Sequence, residues 1–107
     1  MSGFGDRLRR AFGRPERITV TLLIKGRIGT GWQDIDRRLR LPEGATLADL
    51  IEHAEKKGIG MRHAIDNSPH LRDTLMLNGE RCPVSANLDR ALADGDQVYL
   101  LASMAGG

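Results

Sequence analysis

The first sustained pattern in the chain is an alternation. In "RITVTLLIK", Ile18, Val20, Leu22 and Ile24 occupy every second position, with Thr19, Thr21 and Leu23 between them. A period of two that is rich in β-branched residues predicts a strand. "GRIGTGWQD" follows, with glycines at 26, 29 and 31, and reads as a turn or loop. Within it, Trp32 reads as a lid over the end of a hairpin, with an exposed contact residue as the alternative. "IDRRLRL" then restores the alternation. Ile35, Leu39 and Leu41 share a face with Arg37, while Asp36, Arg38 and Arg40 point the other way. Two such strands predict an antiparallel hairpin with one solvated face.

The period changes at "PEGATLADLIEHAEKKG". Leu47, Leu50, Ile51 and Ala54 fall at i, i+3, i+4 and i+7, the single apolar stripe of a helix that packs on a sheet. Thr46 is placed to cap its start, with Asp49 three residues on as the capping-box partner. Lys56 and Lys57 suit the negative end of the helix dipole, and Gly58 is a stop. "IGMRHAIDNSPHLRD" has no clean period and reads as a short helical turn over residues 61–65, broken before Pro69. "TLMLNGERCPV" reads as a strand, an Asn78-Gly79 turn and a short return strand.

"SANLDRAL" is turn-like, anchored by Leu88 and Leu92, and Asp94-Gly95 marks a tight turn. "QVYLLAS" is apolar on both faces, which predicts a central strand. The first and last strands are the most continuously apolar. Setting them side by side, with the helix across one face, gives an α+β roll in which a mixed sheet grasps a helix.

Composition narrows this picture. At 107 residues, 40% hydrophobic and 28% charged, the chain fits one globular domain. The aromatics are Phe4, Phe12, Trp32 and Tyr99, so the core must be aliphatic. The net charge of +2 is unevenly spread: residues 1–17 hold Arg7, Arg9, Arg10, Arg14 and Arg17 against Asp6 and Glu16. The rest of the chain is close to neutral, which argues against a nucleic-acid-binding body. Residues 1–16 read as a loosely ordered basic arm. Phe4, Leu8 and Phe12 leave open a short amphipathic helix that docks on a partner or an anionic surface. The expected organisation is arm 1–16, domain 17–103 and tail 104–107.

One cysteine, Cys82, forms no intramolecular disulfide and fits a reducing compartment. No apolar stretch approaches the roughly 20 residues that cross a bilayer, and no secretory signal is recognisable. The expectation is a cytoplasmic protein that binds neither membrane nor nucleic acid.

The candidate chemistry is sparse. "GRIGTGW" has glycines, but a strand rather than a helix follows, so it lacks the strand-to-helix turn of a phosphate loop. His53, His63 and His70 have no helical metal spacing, and they read as surface residues; no metal site is expected. Cys82 lies between a hairpin turn and Pro83, with no local base, and reads as a buried, inert thiol. Asp94 and Asp96 read as turn formers. Arg38 and Arg40 form either a contact patch or a solvated face. No catalytic constellation is apparent.

The tail, "LLASMAGG", is the remaining feature. Small, uncharged residues follow a strong strand, and Gly106-Gly107 end the chain on a free carboxylate. Such an arm can thread a channel too narrow for residues with side chains, and so reach another protein's active site.

"LADGDQVYLLASMAGG" resembles the end of the ThiS/MoaD sulfur carriers, which are ubiquitin-like β-grasp proteins. "LPEGATLADLIEHA" is similar to the segment leading into their main helix, and "LMLNGERC" to their strand and Asn-Gly hairpin. The likeness spans roughly residues 17 to 107. It implies a β-grasp fold and a carrier rather than a catalyst, with no bound cofactor. A ThiF/MoeB-like adenylating enzyme would use ATP to activate the carboxylate of Gly107, and sulfur would then displace AMP to leave a thiocarboxylate. Gly106 would keep the entry path narrow, with Ala105 and Met104 lining the same tunnel. A sulfur-accepting enzyme such as the molybdopterin synthase large subunit would then take the sulfur. The spacing and the Ala-Gly-Gly end resemble the molybdopterin branch most. The same tail also serves a thiamin or tRNA-thiolation carrier, or a modifier joined to lysines through Gly107. A binding module without tail chemistry is the third alternative.

Overall fold

The alternation of Ile18, Val20, Leu22 and Ile24 becomes the buried face of a strand longer than the sequence pattern implies. The computed structural model describes residues 16–28 and 31–102. Its elements are β1 (Arg17–Ile28), β2 (Gly31–Pro42), α1 (Leu47–Lys56), α2 (Met61–Asn67), α3 (Pro69–Thr74), β3 (Met76–Leu77), β4 (Glu80–Arg81), α4 (Val84–Asn87) and β5 (Gln97–Leu101). The five strands form one sheet in the order β2-β1-β5-β3-β4. β1 pairs antiparallel with β2 and parallel with β5, and β3 pairs antiparallel with both β5 and β4. The first and last strands therefore lie side by side, with β5 in the centre. This is the α+β, β-grasp arrangement expected from the pattern.

One face of the sheet is covered. Val20, Leu22, Ile24, Val98 and Leu100 are fully buried and join Leu50, Ala54, Met61, Ala64, Leu71 and Leu75 of the helical layer in one aliphatic core. β2 adds Leu39 and Leu41 to it, while Arg37, on the same face opposite Leu22, stays exposed.

α1 begins as expected. The Asp49 N–H donates to Thr46 Oγ1 (3.2 Å), and the Thr46 N–H donates to Asp49 Oδ2 (2.9 Å). The reciprocal pair satisfies two helix-end donors. Leu47, Leu50, Ile51 and Ala54 are buried, and Gly58 ends the turn at φ +74°. Asn78 and Gly79 both have positive φ, at 54° and 85°. That fits a two-residue hairpin loop whose backbone matches the twist of its strands.

Three expectations are corrected. Most of "GRIGTGWQD" is strand rather than loop: residues 26–28 belong to β1 and 31–34 to β2, with pairing running as far as Ile28 opposite Gly31, and residues 29–30 lie outside the described residues. Ile28 is buried, so the alternation of β1 continues through the glycine. Pro69 does not merely end a helix. It starts α3, where its missing N–H costs nothing, and the Ser68 hydroxyl accepts the Leu71 N–H (3.4 Å). Of the two leucines expected as anchors after α4, Leu92 is buried and Leu88 is 41% exposed.

Candidate functional site

The site is the end of the sheet where β5 hands the chain to its tail. The parallel register sets Leu100 opposite Ile24 and Leu101 opposite Lys25. The ladder then continues one residue beyond the strand, because the Ala102 N–H donates to the Lys25 carbonyl (2.8 Å). Ala102 is buried. Its neighbour across the ladder is Gly26, at φ +120°. A Cβ on Gly26 would lie 2.7 Å from the Ala102 carbonyl oxygen and 2.8 Å from its Cβ. Only glycine admits both that backbone conformation and that approach. An isolated glycine inside a strand pattern is the sequence signal for such close passage; here it reads as a turn because two more glycines follow closely.

The open face of the sheet surrounds this exit. Directly opposed residues of β1 and β2 share a face, which sets Trp32 beside Arg27, Asp34 beside Lys25, and Asp36 beside Leu23. On β5, Leu101 and Tyr99 extend the latter two rows, and Met76 of β3 lies opposite Tyr99. Trp32 is 54% exposed and Leu101 48% exposed. Trp32 is therefore not a lid: it stands on β2 with its ring open to solvent. Lys25 Nζ lies 3.2 Å from Asp34 Oδ1, with both groups solvated, so the pair adds little stability. Two exposed apolar side chains, Trp32 and Leu101, thus stand on this face among Arg27, Lys25 and Asp34.

At the opposite end the ladder is closed by side chains. The Thr19 N–H donates to Asp94 Oδ1 (2.7 Å), and the Ala93 N–H to Asp96 Oδ2 (2.8 Å). Asn78 Nδ2 donates to Asp96 Oδ1 (2.8 Å), and the Gln97 N–H donates to Asn78 Oδ1 (2.9 Å). Backbone bonds from Gly95 N to Thr19 O and from Thr21 N to Asp96 O complete the closure. Asp94 and Asp96 thus form the turn and also tie β5 to β1 and to the hairpin.

The other candidates fall outside this site. His63 and His70 are exposed, and His63 Nδ1 lies 3.1 Å from Asn67 Nδ2. The His53 pKa is lowered from its usual 6.5, first by burial and then by Lys57, Lys56 and Arg17. Cys82 is buried. Arg38 and Arg40 stand exposed on the open face, opposite Thr21 and Thr19. Among the described residues, no cluster of three His, Cys, Asp or Glu side chains could hold a metal ion, and no helix is long and apolar enough to cross a membrane. Met104, Ala105, Gly106 and Gly107, and the basic arm apart from Glu16, lie outside the described residues.

A mixed sheet that holds its last strand beside β1, with helices packed on one face, is the β-grasp class of fold. The ThiS family model matches residues 27–107, and the chain belongs to that family. No curated protein and no solved structure matches the chain. Family membership points to a sulfur carrier, with partners that adenylate it and partners that accept its sulfur.

Proposed function

We propose that this chain carries sulfur as a thiocarboxylate on Gly107, for the synthesis of a sulfur-containing cofactor, and that the cofactor is molybdopterin. The Gly107 carboxylate attacks the α-phosphorus of ATP on an adenylating partner, and pyrophosphate leaves. A hydrosulfide-level donor then attacks the acyl carbon of the adenylate, AMP leaves, and a C–S bond replaces the C–O bond. The chain supplies no catalytic side chain to these steps. It supplies an acyl group on a thin arm and a surface that docks outside the partner's active site.

The observation that most supports this reading is the construction of the exit. Ala102 is bonded to β1 beside Gly26, at the rim of a face bearing Trp32 and Leu101. A fixed root next to a contact face limits where the following five residues can reach, and so raises the local concentration of the carboxylate at a docked partner's site. The Ala-Gly-Gly end supports the molybdopterin branch over the thiamin branch. Met104, Ala105 and Gly106 are the residues assigned to the partner's tunnel.

The test is mass spectrometry of the full chain after incubation with an adenylating enzyme of each branch, ATP and sulfide. The expected result is a gain of about 16 Da, one oxygen exchanged for one sulfur, confined to Gly107. Removal of Gly106 and Gly107 should abolish the gain and leave the thermal midpoint unchanged. No gain with any of the enzymes defeats the proposal. A gain only with the thiamin-branch enzyme keeps the carrier and overturns the molybdopterin assignment.

A further inference from the structure

A groove lies where the first strand begins. It has a volume of about 390 Å³ and runs between the β2–α1 connection and one side of α1. Leu41, Pro42 and Ala45 are its apolar residues. Glu43, Asp49 and Glu52 set three carboxylates on its walls against the single ammonium of Lys56. Among the described residues, none of these acids forms an ion pair. The chain joins the fold at this groove. Arg17 pairs with Pro42, and the Glu43 N–H donates to the Glu16 carbonyl (3.2 Å). Residues 1–15 therefore enter beside two residues of its wall, Pro42 and Glu43. Their sequence is complementary to it. Arg7, Arg9, Arg10 and Arg14 stand against Asp6 alone. Phe4, Leu8 and Phe12 recur at every fourth position, the spacing of one helical face, and Gly13 and Pro15 end that pattern before β1 begins.

We propose that residues 1–15 fold back on their own chain and occupy this groove, with Leu8 and Phe12 against Leu41, Pro42 and Ala45 and the arginines beside Glu43, Asp49 and Glu52. Connection favours this occupant. Four residues of chain span at most about 14 Å, so Phe12 is confined to the neighbourhood of Glu16 and thus of Pro42 and Glu43. A short tether gives the segment a local concentration in the millimolar range, at which contacts too weak to hold two separate molecules suffice. Charge disfavours the alternatives. The open sheet face carries Lys25, Arg27, Arg38 and Arg40 against Asp34 and Asp36, and the groove among the helices carries Arg62 and Arg72 against Asp66. Exposed ion pairs add little one by one. The apolar contacts therefore hold the segment, and the arginines select where it lies. Docking here also turns the most basic part of the chain towards its own carboxylates and away from anionic surfaces. The groove adjoins Arg17, at the far end of β1 from Lys25 and Ala102, so its occupation leaves the exit free. Arm docking and sulfur carriage can therefore fail separately.

Both phenylalanines of the chain lie in residues 1–15, so their rings report on that segment alone. The experiment is NOE spectroscopy of the dilute, full-length chain with labelled phenylalanine rings. The ring protons of Phe12 should show contacts to the methyl groups of Ala45 and Leu41, and none to Leu101 or Leu88. A mixture of labelled and unlabelled chains should give no contacts between molecules. The contacts should be lost in Glu43→Lys/Glu52→Lys, which alters two exposed positions. Asp49 is left in place because its carboxylate caps α1. They should return when that variant also carries Arg7→Glu and Arg10→Glu. If the lysine variant does not fold, Arg7→Glu/Arg10→Glu alone should remove the contacts, since it leaves the described fold untouched. Absent ring contacts in the natural chain, contacts to the open face or to Leu88, or contacts between molecules overturn the proposal. So do contacts that survive either charge reversal, or a charge swap that restores none.

Discussion

The two ends of the β1–β5 ladder are held by different chemistry. At the starting end, the carboxylates of Asp94 and Asp96 and the amide of Asn78 reach across the chain to the backbones of Thr19, Ala93 and Gln97. At the exit end no side chain performs that task among the described residues. Ala102 is held by its own N–H and by close packing on Gly26. A carrier must fix the root of its arm without giving the arm bulk. On the proposed reading, side-chain clamps serve where the chain stays within the domain, and backbone bonds with small residues serve at the root of the reactive arm. The comparison predicts that damage at the exit lowers sulfur transfer beyond any loss of stability, and that damage at the starting end lowers stability alone.

Gly26→Ala should have the largest effect. A non-glycine residue at φ +120° is strained by about 1–3 kcal/mol, and relieving the overlap with Ala102 costs a similar amount. The unfolding midpoint should fall. More important, thiocarboxylate formation measured well below that midpoint should drop by about tenfold or more, since small displacements of a reacting group cost that much. A variant that is less stable but forms thiocarboxylate at the normal rate would remove Gly26 from the exit mechanism.

The complementary change is Asp96→Ala. It leaves the Asn78 amide and the Ala93 N–H without their shared acceptor. Chemical denaturation should show a loss of about 1–2 kcal/mol, the scale of partly solvated bonds to a charged group. Sulfur transfer by the folded fraction should be unchanged. A selective loss of transfer would show that the two ends are coupled through β5.

Trp32→Ala and Leu101→Ala then separate docking from rooting. Both side chains are about half exposed on the open face, so stability should change by about 0.5 kcal/mol or less. Calorimetric affinity for the adenylating enzyme should weaken by about tenfold if the aromatic ring is an interface anchor. Unchanged affinity in the double variant would move the docking surface elsewhere.

The starting end was more legible in the sequence than the exit. Asp-Gly-Asp announces a tight turn, and the same carboxylates can bond nearby backbone. Their reach to Thr19 needed the tertiary pairing of β5 with β1. Local rules place Gly26 in a turn, because two more glycines follow it closely. What matters there is a neighbour 76 positions away in the chain, which periodicity does not encode. Trp32 is hidden for the same reason, because its segment reads locally as a loop. The main helix was legible in full, since stripe, cap and stop are all local and agree with one another. The irregular segment after it was half legible, because Pro69 ends one helix and starts the next by the same property of its ring.

The smallest expected effect concerns His53 on α1, and it bears only on the starting end, since Arg17 at the head of β1 is among the charges acting on it. Burial, Lys57, Lys56 and Arg17 all disfavour the imidazolium in the fold, so the folded pKa lies below 6.5. Well above pH 6.5 both folded and unfolded chains carry neutral imidazole, and the residue has no influence on stability. As the pH falls through 6.5 the unfolded chain takes the proton first, and folding loses stability until the folded pKa is also passed. His53 is only partly buried, which keeps the effect small. Comparing unfolding free energies at pH 7.5 and pH 5 should therefore show a slightly greater loss for the natural chain than for His53→Gln. The thiocarboxylation rate of the folded protein should show no difference between the two at either pH. An equal loss in both proteins would assign the acid sensitivity to other groups, whereas a difference in rate would extend the influence of the starting end to the tail.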